Sequence, residues 1–220
     1  DLIAEVDEAM RRERLEKLWK RHGNLVIAFL LVLVLRTGAF SAYRAWDDGV
    51  KAAQTERLMD MLADSSFPAT LTEDMDLRPG LRGVALMAAG SISLDQKKDT
   101  EALGYYTQAS QDAKIPADLR HLAMLMRVRL LSAQKDETQD LQALLREVWQ
   151  DKKSPWRPHA LLESAALYAH GANDLTQARA QLALVMAAQG LPDTLLMKAR
   201  ALDEVYAARQ SSADGAGATQ

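Results

Sequence analysis

The chain reads as all-α: a single membrane-spanning helix near the N-terminus, followed by a solenoid of helical hairpins. Three observations predict this. The apolar share is 48% while aromatics are only 5%, so Ala, Leu and Met carry the hydrophobic load, a mix that favours helix over sheet. Residues 25–35 form one unbroken apolar run. Prolines then recur at Pro79, Pro116, Pro155 and Pro192, separated by 37, 39 and 37 residues. The 220 residues carry a net charge of −3, which offers no whole-chain argument for nucleic acid, and the absence of cysteine excludes disulfides, thiolate catalysis and thiolate zinc sites.

Eleven apolar residues are too few to cross a bilayer, which needs about 20. Extension through Arg36 to Tyr43 supplies the length at the cost of one charge. The apolar run contributes about −4 kcal/mol to insertion, while a central Arg costs about +3 kcal/mol. Arg36 lies past the middle and can reach toward the far headgroups, so net insertion is favourable by a small margin. Trp19 on one side, with Tyr43 and Trp46 on the other, supplies interfacial aromatics. Trp19 and Trp46 stand about 40 Å apart along a helix, close to a bilayer with its headgroups. Residues 10–24 carry Arg11, Arg12, Arg14, Lys17, Lys20 and Arg21, against only Arg44 and Lys51 in 37–56. This bias puts the N-terminus in the cytoplasm and the bulk of the chain across the membrane. Two other readings of the segment are a cleaved signal peptide, with Ala39-Phe40-Ser41 as the cut site, and a buried helix of a soluble protein.

The expected organisation is a cytoplasmic amphipathic basic helix over 1–23, the membrane helix over 24–46, a helical linker and loop over 47–78, a helical domain over 79–209 and a disordered tail over 210–220. In the first segment Glu8–Arg12, Glu13–Lys17 and Glu16–Lys20 stand at the favourable i,i+4 spacing. That helix serves either as a basic anchor on anionic lipid or as a docking element for a partner helix. Within the domain each recurring proline opens a helical run. Helices are expected over 79–95, 99–112, 116–133, 137–150, 156–170, 174–189 and 192–208.

Helix pairs at this period mark a helical solenoid. Gly90, Ala102, Tyr106 and Ala109 occupy the small, small, aromatic, small positions of a tetratricopeptide-like hairpin, where small side chains let two helices approach. Ala166, Ala178 and Leu182 repeat the offsets in the third unit.

No catalytic set emerges. His22, His121, His159 and His170 lack accompanying ligands at helical spacing, and each reads as a surface or packing histidine. Asp74 with Asp76, and Asp136 with Glu137, lie in expected turns without a nucleophile nearby. Phosphate-binding glycine loops and nucleophile elbows are absent. Arg120, Arg127 and Arg129 form a short basic stripe read as a solvated face, not a nucleic-acid site. The expectation is therefore a non-enzymatic protein with no cofactor, no metal and no small-molecule substrate. Its working surface would be the groove of the solenoid. Met87, Met124, Arg127, Leu131 and Tyr168, on the first helices of the pairs, are the candidate partner-binding residues. The competing reading makes the methionines core.

The N-terminal block from Glu5-Val6-Asp7-Glu8 through Arg11-Arg12-Glu13-Arg14-Leu15-Glu16-Lys17-Leu18-Trp19 precedes the span and its aromatic exit at Tyr43 and Trp46. With the hairpins and the local sequences Leu119-Arg120-His121-Leu122-Ala123 and Pro155-Trp156-Arg157, residues 4–208 resemble the ancillary SecYEG translocon subunit family (YfgM-like), of the alphaproteobacterial type. The resemblance implies a single-pass anchor in the bacterial inner membrane and a periplasmic repeat domain. It also implies an adaptor or scaffold role, with the translocon and periplasmic chaperones as partners. A different expectation is an accessory subunit of another inner-membrane complex, such as a respiratory assembly. Arg36 points that way, because an intramembrane Arg is cheaper beside a neighbour's carboxylate.

Overall fold

The computed structural model describes residues 35–64, 66–71, 77–134 and 140–217. Every regular element among them is an α-helix. α1 is helical over residues 35–63. There follow α2 (Pro79–Asp95), α3 (Asp99–Gln111), α4 (Ala117–Ala133), α5 (Leu141–Gln150), α6 (Arg157–His170), α7 (Leu175–Met186) and α8 (Asp193–Gly217). The chain divides into two units, Asp1–Glu56 and Arg57–Gln220.

In the first unit, residues 35–46 are exposed throughout. Leu35, Phe40, Tyr43 and Trp46 keep 55–65% of their surface open. The Arg44 guanidinium sits 4.5 Å above the Phe40 ring, and the Tyr43 and Trp46 rings are 6.2 Å apart. No helix among the described residues is long and apolar enough to cross a membrane. Trp19, the cytoplasmic helix and residues 24–34 of the expected span lie outside the described residues, as do Asp74, Asp76, Asp136 and Glu137.

In the second unit each helix packs on the next in sequence, and the first helices α2, α4, α6 and α8 also touch in turn. Contacts of this kind build a stack of hairpins rather than one central core. The apolar clusters follow the stack. Leu58, Leu77 and Ala85 pack together at one end. Leu86, Ala109, Ile115 and Ala123 join α2, α3 and α4. Met124, Leu125, Val128, Leu145, Val148 and Ala160 join α4, α5 and α6. Leu161, Ala165, Ala178, Leu182, Val185, Ala199 and Tyr206 join α6, α7 and α8.

Local chemistry sets the boundaries. Pro79 opens α2 at a position where a missing N–H costs nothing, Pro116 caps α4, and Pro192 immediately precedes α8. Pro155 lies two residues ahead of α6, whose own first turn holds Pro158. Asp140 and Asp174 cap α5 and α7 by accepting from the backbone N–H of Ala143 (3.0 Å) and Gln177 (2.9 Å). α2 ends with Lys97 at φ +60°, where Lys97 N–H reaches Leu94 O and Lys98 N–H reaches Ser93 O. That pair of bonds is a Schellman stop. Asn173 takes the left-handed turn before α7, a conformation asparagine tolerates better than most residues.

Two expectations are corrected. α5 starts at Leu141 rather than 137, behind its Asp140 cap. α8 continues to Gly217, through the stretch from Gln210 expected as tail. Gln210 donates to Thr176 Oγ1 (3.3 Å) and accepts from Arg179 (3.5 Å), which ties that turn to α7. The Ser211 and Ser212 hydroxyls bond back to the carbonyls of Ala207 (3.0 Å) and Ala208 (2.9 Å).

Candidate protein-interaction face

The solvent side of the first helices carries a mix of apolar and charged groups. α2 contributes exposed Val84 with half-buried Ala88, and α4 contributes Leu122, Met126 and exposed Arg129. From α6 come Trp156, His159 and Glu163, and from α8 Lys198. The first helices touch in order, and the Arg129–Glu163 ion pair with the charge effects of Arg129 and Lys198 on His159 links the α4, α6 and α8 positions into a strip.

Arg129 and Glu163 lock the α4–α6 part of the strip. Both Nε and Nη2 of Arg129 lie 2.6 Å from Glu163 Oε1. The pair is partly exposed and contributes at most about 1 kcal/mol, so its effect is orientation more than stability. Beside it the His159 ring stands edge-on to Trp156 at 5.7 Å. Burial lowers the His159 pKa from its ordinary value; the positive charges of Arg129 and Lys198 push the same way, and Glu163 opposes them. His159 Nδ1 is buried with no hydrogen-bond partner among the described residues. The strip thus has apolar and thioether groups toward α2 and a cationic, aromatic end toward α8. Such a surface suits an extended or helical protein segment.

The residues expected to bind partners are placed otherwise. Met124, Arg127 and Leu131 are buried, at 6%, 8% and 0% exposure. Met87 is half-buried against the α2–α3–α4 cluster, and Tyr168 against the α6–α7–α8 cluster. α4 touches α2, α3, α5 and α6, so most of its circumference is packed. The strip uses Leu122, Met126 and Arg129, on the remaining open side. Their i,i+4,i+7 spacing was present in the sequence but no more apolar than the buried stripe.

The basic stripe also dissolves. Arg120 donates to the carbonyls of Ala113 and Ile115, both at 3.1 Å, Arg127 is buried, and Arg129 is paired with Glu163. His121 is buried and shares a 2.9 Å hydrogen bond with Ser154 Oγ, while exposed His170 stands edge-on to Tyr206. Ser154 Oγ also accepts from the Trp156 N–H (3.3 Å), so the pair closes the α5–α6 turn. Among the described residues no three His, Asp or Glu side chains are placed to hold a metal. A 520 Å³ hollow is lined by Ser66, Phe67, Pro68 and Ala69 with Gln96, Lys98, Glu101 and Tyr105 of the α2–α3 turn and α3. Lys98 there is paired with Glu101 at 3.5 Å.

Comparison with protein families, curated proteins and solved structures found no match to this chain.

Proposed function

We propose that the chain is a membrane-anchored adaptor without catalytic activity. Residues 24–46 cross the inner membrane once, the N-terminus stays in the cytoplasm, and a tetratricopeptide-like solenoid works in the periplasm. The observation that carries the adaptor reading is the strip across α2, α4, α6 and α8, which sets exposed Val84 and half-buried Leu122 and Met126 with exposed charges at Arg129 and Lys198. The stacking of the first helices supports the solenoid. The apolar run at 25–35, the flanking aromatics and the six-to-two basic asymmetry support the anchor. The resemblance of residues 4–208 to the translocon subunit family names the partners: the secretion machinery or a periplasmic chaperone beside it.

A photo-crosslinking residue at Met126 in intact membranes tests this. It should capture translocon or chaperone peptides that the same residue at Ala180, exposed on α7, does not. Recovery of respiratory subunits alone would sink the translocon assignment, and equal capture at both positions would sink the strip. An N-terminus mapped beyond Ala42 in the mature protein would remove the anchor.

Arg36 favours a second reading, an accessory subunit of another inner-membrane complex. A buried carboxylate of a neighbour would offset its insertion cost. Arg36→Leu distinguishes the two. It should leave assembly intact where Arg36 only reaches for headgroups, and disrupt assembly where a neighbouring subunit holds it.

A further inference from the structure

α8 has two apolar sides. One carries Ala199, Tyr206, Leu195 and Leu202 and packs on α6 and α7. On the other side stand Thr194, Met197, Ala201, Val205 and Ala208, all exposed. Met197 is 59% and Val205 47% exposed. At about 100° per residue these five share one stripe. Among the described residues nothing covers this second face. The 3-4-4-3 spacing of the stripe follows an eleven-residue period, which suits a helix pair with a right-handed supercoil. The small Thr194, Ala201 and Ala208 allow close approach of a second helix.

The edges of the stripe identify that helix. Asp193 and Glu204, with Arg200 between them, line one edge, Lys198 and Arg209 the other, and all five are exposed. In a parallel two-fold pair, the edge that carries Asp193 and Glu204 meets the basic edge of the mate. Asp193 then faces the partner's Lys198, and Glu204 faces the partner's Arg209. In an antiparallel pair each edge would meet itself, so Lys198 and Arg209 would face the same basic edge of the mate. We propose that α8 is a homodimerisation helix, pairing in parallel with a second copy of this chain through Met197, Ala201, Val205 and Ala208. This does not depend on the membrane reading or on the strip across the first helices.

The cysteine-free chain allows a direct test. Single variants Ala201→Cys and Ala208→Cys of the full chain, purified in detergent, are oxidised and compared with Ala180→Cys. Both should form disulfide-linked homodimers about tenfold faster than the control, because the helix pair raises the local thiol concentration. Glu204→Arg, added to Ala208→Cys, should slow linkage, and Arg209→Glu added to that variant should restore it. Linkage no faster than the control at both sites overturns the proposal. Linkage at Ala201→Cys but not at Ala208→Cys overturns it too, since an antiparallel pair crossing at residue 201 would do that. Adducts with a foreign protein, or charge exchange that fails to restore linkage, also overturn it.

Discussion

Gly90 is the hole into which the Tyr106 ring fits. A Cβ on residue 90 would lie 2.5 Å from Tyr106 Cε1 and 2.6 Å from Cζ. Both residues are buried, Tyr106 to 2% exposure, so the ring has nowhere to retreat. The contact sets how closely α2 and α3 approach, and burial raises the Tyr106 hydroxyl pKa, with Asp95 adding to the effect. Gly90→Ala should therefore destabilise the domain by about 1–3 kcal/mol, through overpacking that outweighs the helix-propensity gain of alanine. Gly104 on α3 is the control: nothing lies within 4 Å of its Cβ position, so Gly104→Ala should stabilise by up to about 1 kcal/mol. Thermal unfolding of both variants decides the matter, and a loss at Gly104 comparable to that at Gly90 would remove the steric account.

Lys97 pays a conformational penalty at the end of α2. Its φ of +60° is needed for the two bonds to Leu94 O and Ser93 O, and only glycine takes that conformation freely. Lys97→Gly should stabilise by about 0.5–1 kcal/mol, and Lys97→Val should destabilise by more than that. Denaturant midpoints measure both, and equal midpoints for the two variants would show that the turn relaxes.

Ser154 supplies the partner of buried His121, at 2.9 Å across two helical layers. Ser154→Ala leaves His121 Nδ1 without that bond and removes the acceptor of the Trp156 N–H. The expected cost is about 1–3 kcal/mol. Ser154→Thr keeps the hydroxyl and should recover part of it, which separates the hydrogen bond from simple loss of volume.

How much of this was legible in the sequence depended on whether a residue's surroundings were local. The starts of α2, α4 and α8 followed from prolines, whose missing N–H and fixed φ act within one turn. The Gly90–Tyr106 contact followed from spacing, because one short turn joins the two helices. The open side of α4 was not legible. Leu122, Met126 and Arg129 differ from Met124, Arg127 and Leu131 only by what α2, α3, α5 and α6 cover, and that is decided by tertiary packing. The helical course of α8 beyond residue 208 was hidden for the same reason. Its Gln210 is held by Thr176, 34 positions earlier, while the Ser, Gly and Ala composition suggested tail.

His159 should make the stability of the domain depend on pH in a predictable direction. Its folded-state pKa lies below the ordinary 6.5, chiefly because burial disfavours the charged ring, with Arg129 and Lys198 adding repulsion. Above pH 6.5 the ring is neutral whether the chain is folded or unfolded, and its contribution is fully present. As the pH falls through 6.5 the unfolded chain takes up the proton first, so stability declines until the folded pKa is passed. His159→Gln should flatten the pH dependence of the denaturant midpoint below 6.5 without altering it above. An unchanged slope would place the dependence elsewhere. The same titration, followed by NMR at His159, reports on the strip itself. Lys198→Gln should raise the His159 pKa by removing a nearby positive charge. A bound segment that brings a carboxylate beside Arg129 should raise it as well, whereas one that only covers the ring with apolar groups should lower it further. The direction of that shift therefore reads the chemistry of whatever occupies the strip.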